Sequence, residues 1–280
     1  MKTTQTILDA IMVDVRCELA EAQAKRPLAE LRRIMADAPA VRSFKGALQK
    51  TFGIIAEIKE RSPSHGPMRP ENVDEAPMAY EQSRIVRAIS VLTNHSHFGM
   101  SMERLRDIKT RGTKPVLRKD FIFDEYQVYE ARAFGADAIL LMANLLEPGE
   151  MKPLSACAKE LGMDVLFECH SKEQIEQLPV GAQIYGINSR TFATGTTRYG
   201  VSALLGKFGS SKDLTVDLDR FELGQYVPEH ALKVAESGVS AKTIRRVRDE
   251  LGYHAALVGT SFLKATHGIR RELELFEQAL

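Results

Sequence analysis

A chain of 280 residues, 44% apolar and 27% charged, fits one large α/β domain and is short for two independent enzymes. Its 38 basic residues balance 37 acidic ones, and a net charge of +1 excludes a long-range pull toward nucleic acid or a membrane surface. Three cysteines (Cys17, Cys157, Cys169) with no CxxC pair argue against a disulfide framework and for a reducing, cytoplasmic setting.

The N-terminus lacks the apolar core of a signal peptide, and no apolar stretch approaches the roughly 20 residues that span a bilayer. Residues 4–40 read as helical: Ile7, Ile11, Val15 and Leu19 recur at three-to-four spacing, and Leu28, Leu31 and Ile34 continue after Pro27. Asp9, Asp14, Arg16 and Glu18 interrupt the first segment, so it reads as a packing extension over one end of the domain and not as a membrane insert. The expected organisation is a single domain over 1–280, with 1–50 as an N-terminal helical extension.

From about residue 50 the pattern becomes strand-then-helix. Apolar runs fall near 54–58, 88–92, 115–118, 138–142, 163–167, 183–187, 232–235 and 255–258, and charged amphipathic stretches such as 102–110, 124–134, 148–161 and 241–250 follow most of them. Eight such units match a (β/α)8 TIM barrel in count and length. An open doubly wound sheet competes, but no GxGxxG follows an early strand. Residues 191–212 break the rhythm with a Gly-, Ser- and Thr-rich run, an inserted loop expected on the catalytic face after the sixth strand.

Five of the runs stop abruptly at a polar or ionisable group: Glu57 and Lys59, Lys119, Glu168, Asn188, and Glu236. In a parallel barrel the C-terminal strand ends converge on the face where chemistry is done. Glu57 and Lys59 share one side of a strand because the side-chain period is two. A lysine at the rim of a water-poor pocket suits anion binding, or proton donation once its pKa is lowered. Glu168, beside Phe167, is expected to have its pKa raised toward neutrality and to act as a base. Nothing in the pattern around Ser62 and Ser64 suggests a nucleophilic triad. Glu236-Ser237-Gly238, followed by Val258-Gly259-Thr260-Ser261, is a phosphate-site signal, in which Gly238 and Gly259 permit close backbone approach. Asn94-His-Ser-His97 supplies two histidines without a third ligand, so no metal is expected, and His170 reads as a supporting group beside Glu168.

Glu57-Ile-Lys59 with Ser62-Pro-Ser64, Ser90-Val-Leu-Thr93, Val116-Leu-Arg-Lys-Asp-Phe121, Glu168, Ile187-Asn-Ser-Arg190, Glu236-Ser-Gly238 and Val258-Gly259 together resemble the indole-3-glycerol phosphate synthase family, in order over nearly the whole chain. The resemblance implies closure of an indole ring from 1-(2-carboxyphenylamino)-1-deoxyribulose 5-phosphate, with loss of CO2 and water and no cofactor. It implies Lys119 as general acid, Glu168 as general base, and Lys59 on the substrate carboxylate. Glu57, Asn188 and Glu236 would orient hydroxyls and lysines. Ser62, Ser237, Gly238, Gly259 and Thr260 would line the phosphate or ribulose end, with Arg190 near the carboxylate and Phe98, Phe121 and Leu140 as an apolar wall. Its partner is the small sugar phosphate, with no nucleic acid, no membrane, and a monomer as the expected state.

Three features depart from the family pattern: the Asn94–Ser101 loop lacks its usual amide, Asp213-Leu214 follows Arg190 only after the inserted loop, and Gly259-Thr-Ser-Phe-Leu263 replaces a commoner run. Two alternatives stay open. One is a divergent barrel paralogue acting on a related sugar phosphate. The other is a non-catalytic binding protein that retains the fold, which predicts decay among Lys59, Lys119 and Glu168, and all three are present.

Overall fold

Each apolar run forms one parallel strand: β1 Gly53–Ile58, β2 Val86–Leu92, β3 Val116–Lys119, β4 Ala138–Met142, β5 Asp164–Cys169, β6 Ile184–Asn188, β7 Leu232–Glu236 and β8 Ala255–Val258. They agree with the sequence expectation to within two residues at either end. In this computed structural model, which describes residues 7–190 and 216–280, the strands pair in chain order and β1 also pairs β8, closing the barrel. Ala56 registers against Val258 on one side and Glu57 against Ser90 on the other. Every residue of β1, β4, β6 and β8 is buried, as strands covered on both faces require.

The helices are α1 Ile7–Lys25, α2 Leu28–Ala36, α3 Phe44–Gln49, α4 Pro70–Gln82, α5 His95–Phe98, α6 Met102–Arg111, α7 Glu125–Ala133, α8 Pro148–Glu160, α9 Lys172–Glu176, α10 Thr260–Leu263 and α11 Ile269–Ala279. Pro27 separates α1 from α2, since its ring cannot continue a helix. The stretch expected as a helix over 241–250 ends in a π-wound turn, Arg246–Glu250, and Leu218–Tyr226 is a 3-10 segment before β7. The inserted loop and Asp213-Leu214 lie outside the described residues. Their flanks meet in an antiparallel bridge between Arg190 and Val216.

The helical extension braces the barrel at α7, the helix that follows Lys119. Arg26 lies over the Phe134 ring at 4.9 Å and Arg32 over Tyr129 at 5.1 Å, while Tyr126 Oη donates to the Ala22 and Arg26 carbonyls. At the opposite, N-terminal end of the strands, fully buried Lys109 stands 2.6 Å from Asp137, which also accepts from the Arg42 and Val116 amides. This ion pair is well supplied with hydrogen bonds, as a buried pair must be. It sits on the face of a barrel that serves stability.

Candidate active site

The strand ends converge on a cavity of about 390 Å³. Its lining includes all fifteen residues singled out from the sequence: Glu57, Lys59, Ser62, Phe98, Lys119, Phe121, Leu140, Glu168, Asn188, Arg190, Glu236, Ser237, Gly238, Gly259 and Thr260. Pleating explains the selection on β3. Lys119 points into the barrel, whereas Arg118 points out beneath α7 and is held by Asp120 and Glu130, each at 3.0 Å. Asp120 reaches the cavity lining with its carboxylate already engaged by Thr93 (2.6 Å), Arg118 and the Phe121 amide. The loop carrying Lys119 and Phe121 is thus tied down from behind.

Two ionic clusters occupy the floor. Glu57 Oε1 accepts from Lys59 Nζ at 2.5 Å, both side chains being nearly buried. Lys119 Nζ lies 3.1 Å from Glu168 Oε2 and 3.0 Å from Glu236 Oε2, so one ammonium serves two buried carboxylates. His170 Nε2 approaches Glu168 at 3.6 Å from the far side.

This arrangement overturns two expectations. Burial pushes the Glu168 carboxyl up, but the Lys119 ammonium, with His170 and the Asn188 amide, outweighs burial and holds it down, at about 2. Glu236 is the raised carboxyl instead: burial lifts it, Lys119 opposes, and the neighbouring Glu168 charge adds to the lift, leaving it at about 8. The second correction concerns Lys119. Burial alone would lower it, but Glu236, Glu168 and Glu57 raise it well above the ordinary lysine value, so it rests as a firmly charged ammonium.

The apolar wall is one stacked surface: the Phe98 and Phe121 rings lie 6.5 Å apart at 26°, with Leu140, Leu92 and Met142 alongside. Across the cavity, Ser237 and Gly238 both take positive φ (68° and 71°), turning the chain sharply after β7, and Ser189 Oγ donates to the Ser237 carbonyl at 2.9 Å. Arg190 lines the same cavity, and burial lowers its pKa while Glu57 and Glu168 oppose that effect.

Lining residues to which the sequence pattern gives no site role are Ile11, Ser64, His65, Asp120 and Lys264, while Ser261 belongs to the phosphate-site run Val258–Ser261. Ile11 comes from α1, which reaches the mouth because the Asn94–His97 turn fastens it there. Asn94 Nδ2, Ser96 N and Ser96 Oγ donate to Glu18, and His97 Nε2 stands 2.9 Å from Asp14. Both histidines of that turn belong to α5, which Asn94 caps by accepting from the His97 amide.

A family model described as Indole-3-glycerol phosphate synthase matches residues 8–207. The indole-3-glycerol phosphate synthase of Desulforamulus reducens is 35% identical over 263 residues, covering 92% of either chain. The chain belongs to the indole-3-glycerol phosphate synthase family. The indole-3-glycerol phosphate synthase of Neisseria meningitidis is 36% identical over 266 residues, covering 92% of this chain and 95% of its own. The chain is accordingly an enzyme, a decarboxylating lyase of tryptophan biosynthesis that acts on a small sugar phosphate, and the non-catalytic alternative is set aside. N-(5'-phosphoribosyl)anthranilate isomerase from Pyrococcus furiosus superposes with a TM-score of 0.53 at 13% identity over 81% of this chain and 98% of that one, a likeness of barrel fold alone. Among the described residues no helix is long and apolar enough to cross a membrane.

Proposed function

We propose that the cavity binds 1-(2-carboxyphenylamino)-1-deoxyribulose 5-phosphate with its aromatic ring on the Phe98–Phe121–Leu140 wall. Its phosphate then lies at Ser62, Ser237–Gly238 and Gly259–Thr260, and Lys59 and Arg190 take its carboxylate. In ring closure the carboxylate-bearing aromatic carbon attacks the ribulose carbonyl carbon, and Lys119 gives a proton to the carbonyl oxygen. CO2 then leaves, and its bonding electrons restore the aromatic ring. Dehydration removes the new hydroxyl as water, protonated by a lysine, while Glu168 takes a proton from the methylene carbon next to nitrogen. Glu57, Asn188 and Glu236 orient the lysines and the sugar hydroxyls.

One observation carries this reading: a single ammonium, Lys119, held between Glu168 and Glu236 inside an apolar-walled cavity. A charged donor and an ionised acceptor are present before substrate arrives, in a site where low water content strengthens their effect on developing charge. The low Glu168 pKa keeps the base ionised throughout neutral pH. We propose further that the protein works as a cytoplasmic monomer. Its free thiols Cys17, Cys157 and Cys169 suit a reducing compartment, and light scattering at 31.2 kDa checks the monomer.

Mixing the purified protein with this substrate and following indole fluorescence tests the assignment. Lys119→Ala and Glu168→Gln are each expected to slow turnover at least ~100-fold, the usual worth of a general acid or base. Wild-type rates in both remove the assigned acid and base.

A further inference from the structure

The cavity has two unlike flanks. The apolar wall comes from loops and strands on the β2–β4 side. The facing rim comes from the loops after β6, β7, β8 and β1, which are neighbours in the barrel. Around this rim stand Lys59, Arg190, His65 and Lys264. Lys264 follows α10, and its Nζ donates to the His65 carbonyl at 2.5 Å, bridging the segment after β8 to the loop after β1. Within that loop His65 Nδ1 lies 2.8 Å from Ser64 Oγ, the His65 amide donates to Ser62 Oγ at 3.2 Å, and the two serine hydroxyls are 3.5 Å apart.

Charge is uneven across the cavity. Glu57 offsets Lys59, and Glu168 offsets Lys119, beside which Glu236 keeps its proton. Among the described residues, neither Arg190 nor Lys264 lies within ion-pair distance of a carboxylate. Burial, then the charges of Arg190, Lys59 and Lys264, lower the protonation of the His65 imidazole, which marks this rim as a place where positive charge exceeds its counterions. Such a rim favours a dianion, and it lines the same cavity as the hydroxyl and glycine cluster of Ser62, Ser237–Gly238 and Gly259–Thr260.

We propose that Lys264 and His65 form a gate over the phosphate end of the substrate, with Lys264 tying the Ser62–His65 loop to the segment after β8, and with a phosphate monoester dianion bound by the Lys264 ammonium and by a hydrogen bond from the uncharged His65 imidazole. The proposal rests on the substrate orientation given above and adds two binding residues to it. The Lys264 ammonium supplies charge without a fixed carboxylate partner among the described residues, and its bridge to the His65 carbonyl orders the loop that presents Ser62 and Ser64. Both residues sit on the rim, away from Lys119 and Glu168, so their effect is expected on binding more than on the chemical step.

The test compares wild type with Lys264→Met, Lys264→Arg and His65→Ala, measuring turnover of the sugar phosphate, calorimetric binding of inorganic phosphate, and binding of the same substrate lacking its phosphate. Lys264→Met is expected to raise both KM and the phosphate Kd about tenfold, the size of one hydrogen bond to a charged group, with kcat falling less than threefold. Arginine should restore most of the loss, His65→Ala should raise both constants about threefold, and binding of the dephosphorylated compound should change by less than twofold in every variant. A Lys264→Met enzyme whose KM and phosphate Kd stay within twofold of wild type overturns the gate, as does a wild type that binds no phosphate at millimolar concentration. A wild type without turnover, whose phosphate binding still weakens in Lys264→Met, supports the gate and sinks the substrate assignment instead.

Discussion

Lys119 and Glu168 meet at 3.1 Å although 49 residues separate them, and Glu236 completes the contact from the other side of Lys119 at 3.0 Å. Removing the ammonium leaves two carboxylates buried with no shared cation. Lys119→Met is therefore expected to destabilise the fold by about 3–5 kcal/mol, the cost of breaking a buried pair. Adding Glu168→Gln to it should recover part of that stability while leaving the enzyme inactive. Urea titration of the two variants checks this. A double variant less stable than Lys119→Met would show that the carboxylates are not what the lysine neutralises.

The two carboxylates impose opposite pH dependences. Glu168 is held below its ordinary value, so its contribution is present at neutral pH and is lost as pH falls through about 2. Glu236 is raised to about 8, so the folded protein keeps a proton there that the unfolded chain releases above pH 4.5, and stability drops between those values. Glu236→Gln should flatten this fall. Urea midpoints at pH 5 and pH 8 measure it, and an equal drop in wild type and variant would contradict the assignment.

Gly186, on β6, registers against Glu168 on one side and lies beside the Glu236 carboxylate. A Cβ built there would stand 1.9 Å from Glu236 Oε1. Gly186→Ala is expected to displace that carboxylate and with it Lys119, lowering kcat roughly 100-fold, the usual cost of misplacing a catalytic group. A kcat within threefold of wild type would mean that Glu236 has another place to go.

Arg118 is 4% exposed and holds Asp120, Glu130 and the Gln127 carbonyl. Arg118→Met strands two buried carboxylates, with an expected loss of about 3–5 kcal/mol. Combining it with Asp120→Asn and Glu130→Gln should return more than half of that loss in thermal unfolding. No recovery would indicate that Arg118 acts through packing alone.

Much of the architecture was legible because burial on both faces leaves unbroken apolar runs, and each run ended where a charge could face the barrel mouth. Val116–Lys119 shows the logic: the period of two by itself assigns Arg118 and Lys119 to opposite sides of the strand. The reading of Glu168 failed for an equally physical reason. Phe167 is its neighbour along the chain, but the group that sets its charge is Lys119, which approaches from two strands away. His65 and Lys264 were missed because a lone loop histidine and a lysine after a short helix carry no periodic signal. Their meaning arises only when the loops after β1 and β8 adjoin.

The order of amino acids by itself determined the eight strands, the helical lead-in broken at Pro27, and the set of polar groups delivered to one end of the barrel. These follow from local periodicity, where each side chain's direction depends on its immediate neighbours. The tertiary structure alone decided which carboxylates share Lys119, which of them keeps a proton, and how Glu18 and Asp14 fasten α1 to the turn at Asn94–His97. Those outcomes depend on distances of about 3 Å between segments far apart in the chain, and Coulomb interaction and desolvation act through space without regard to sequence separation.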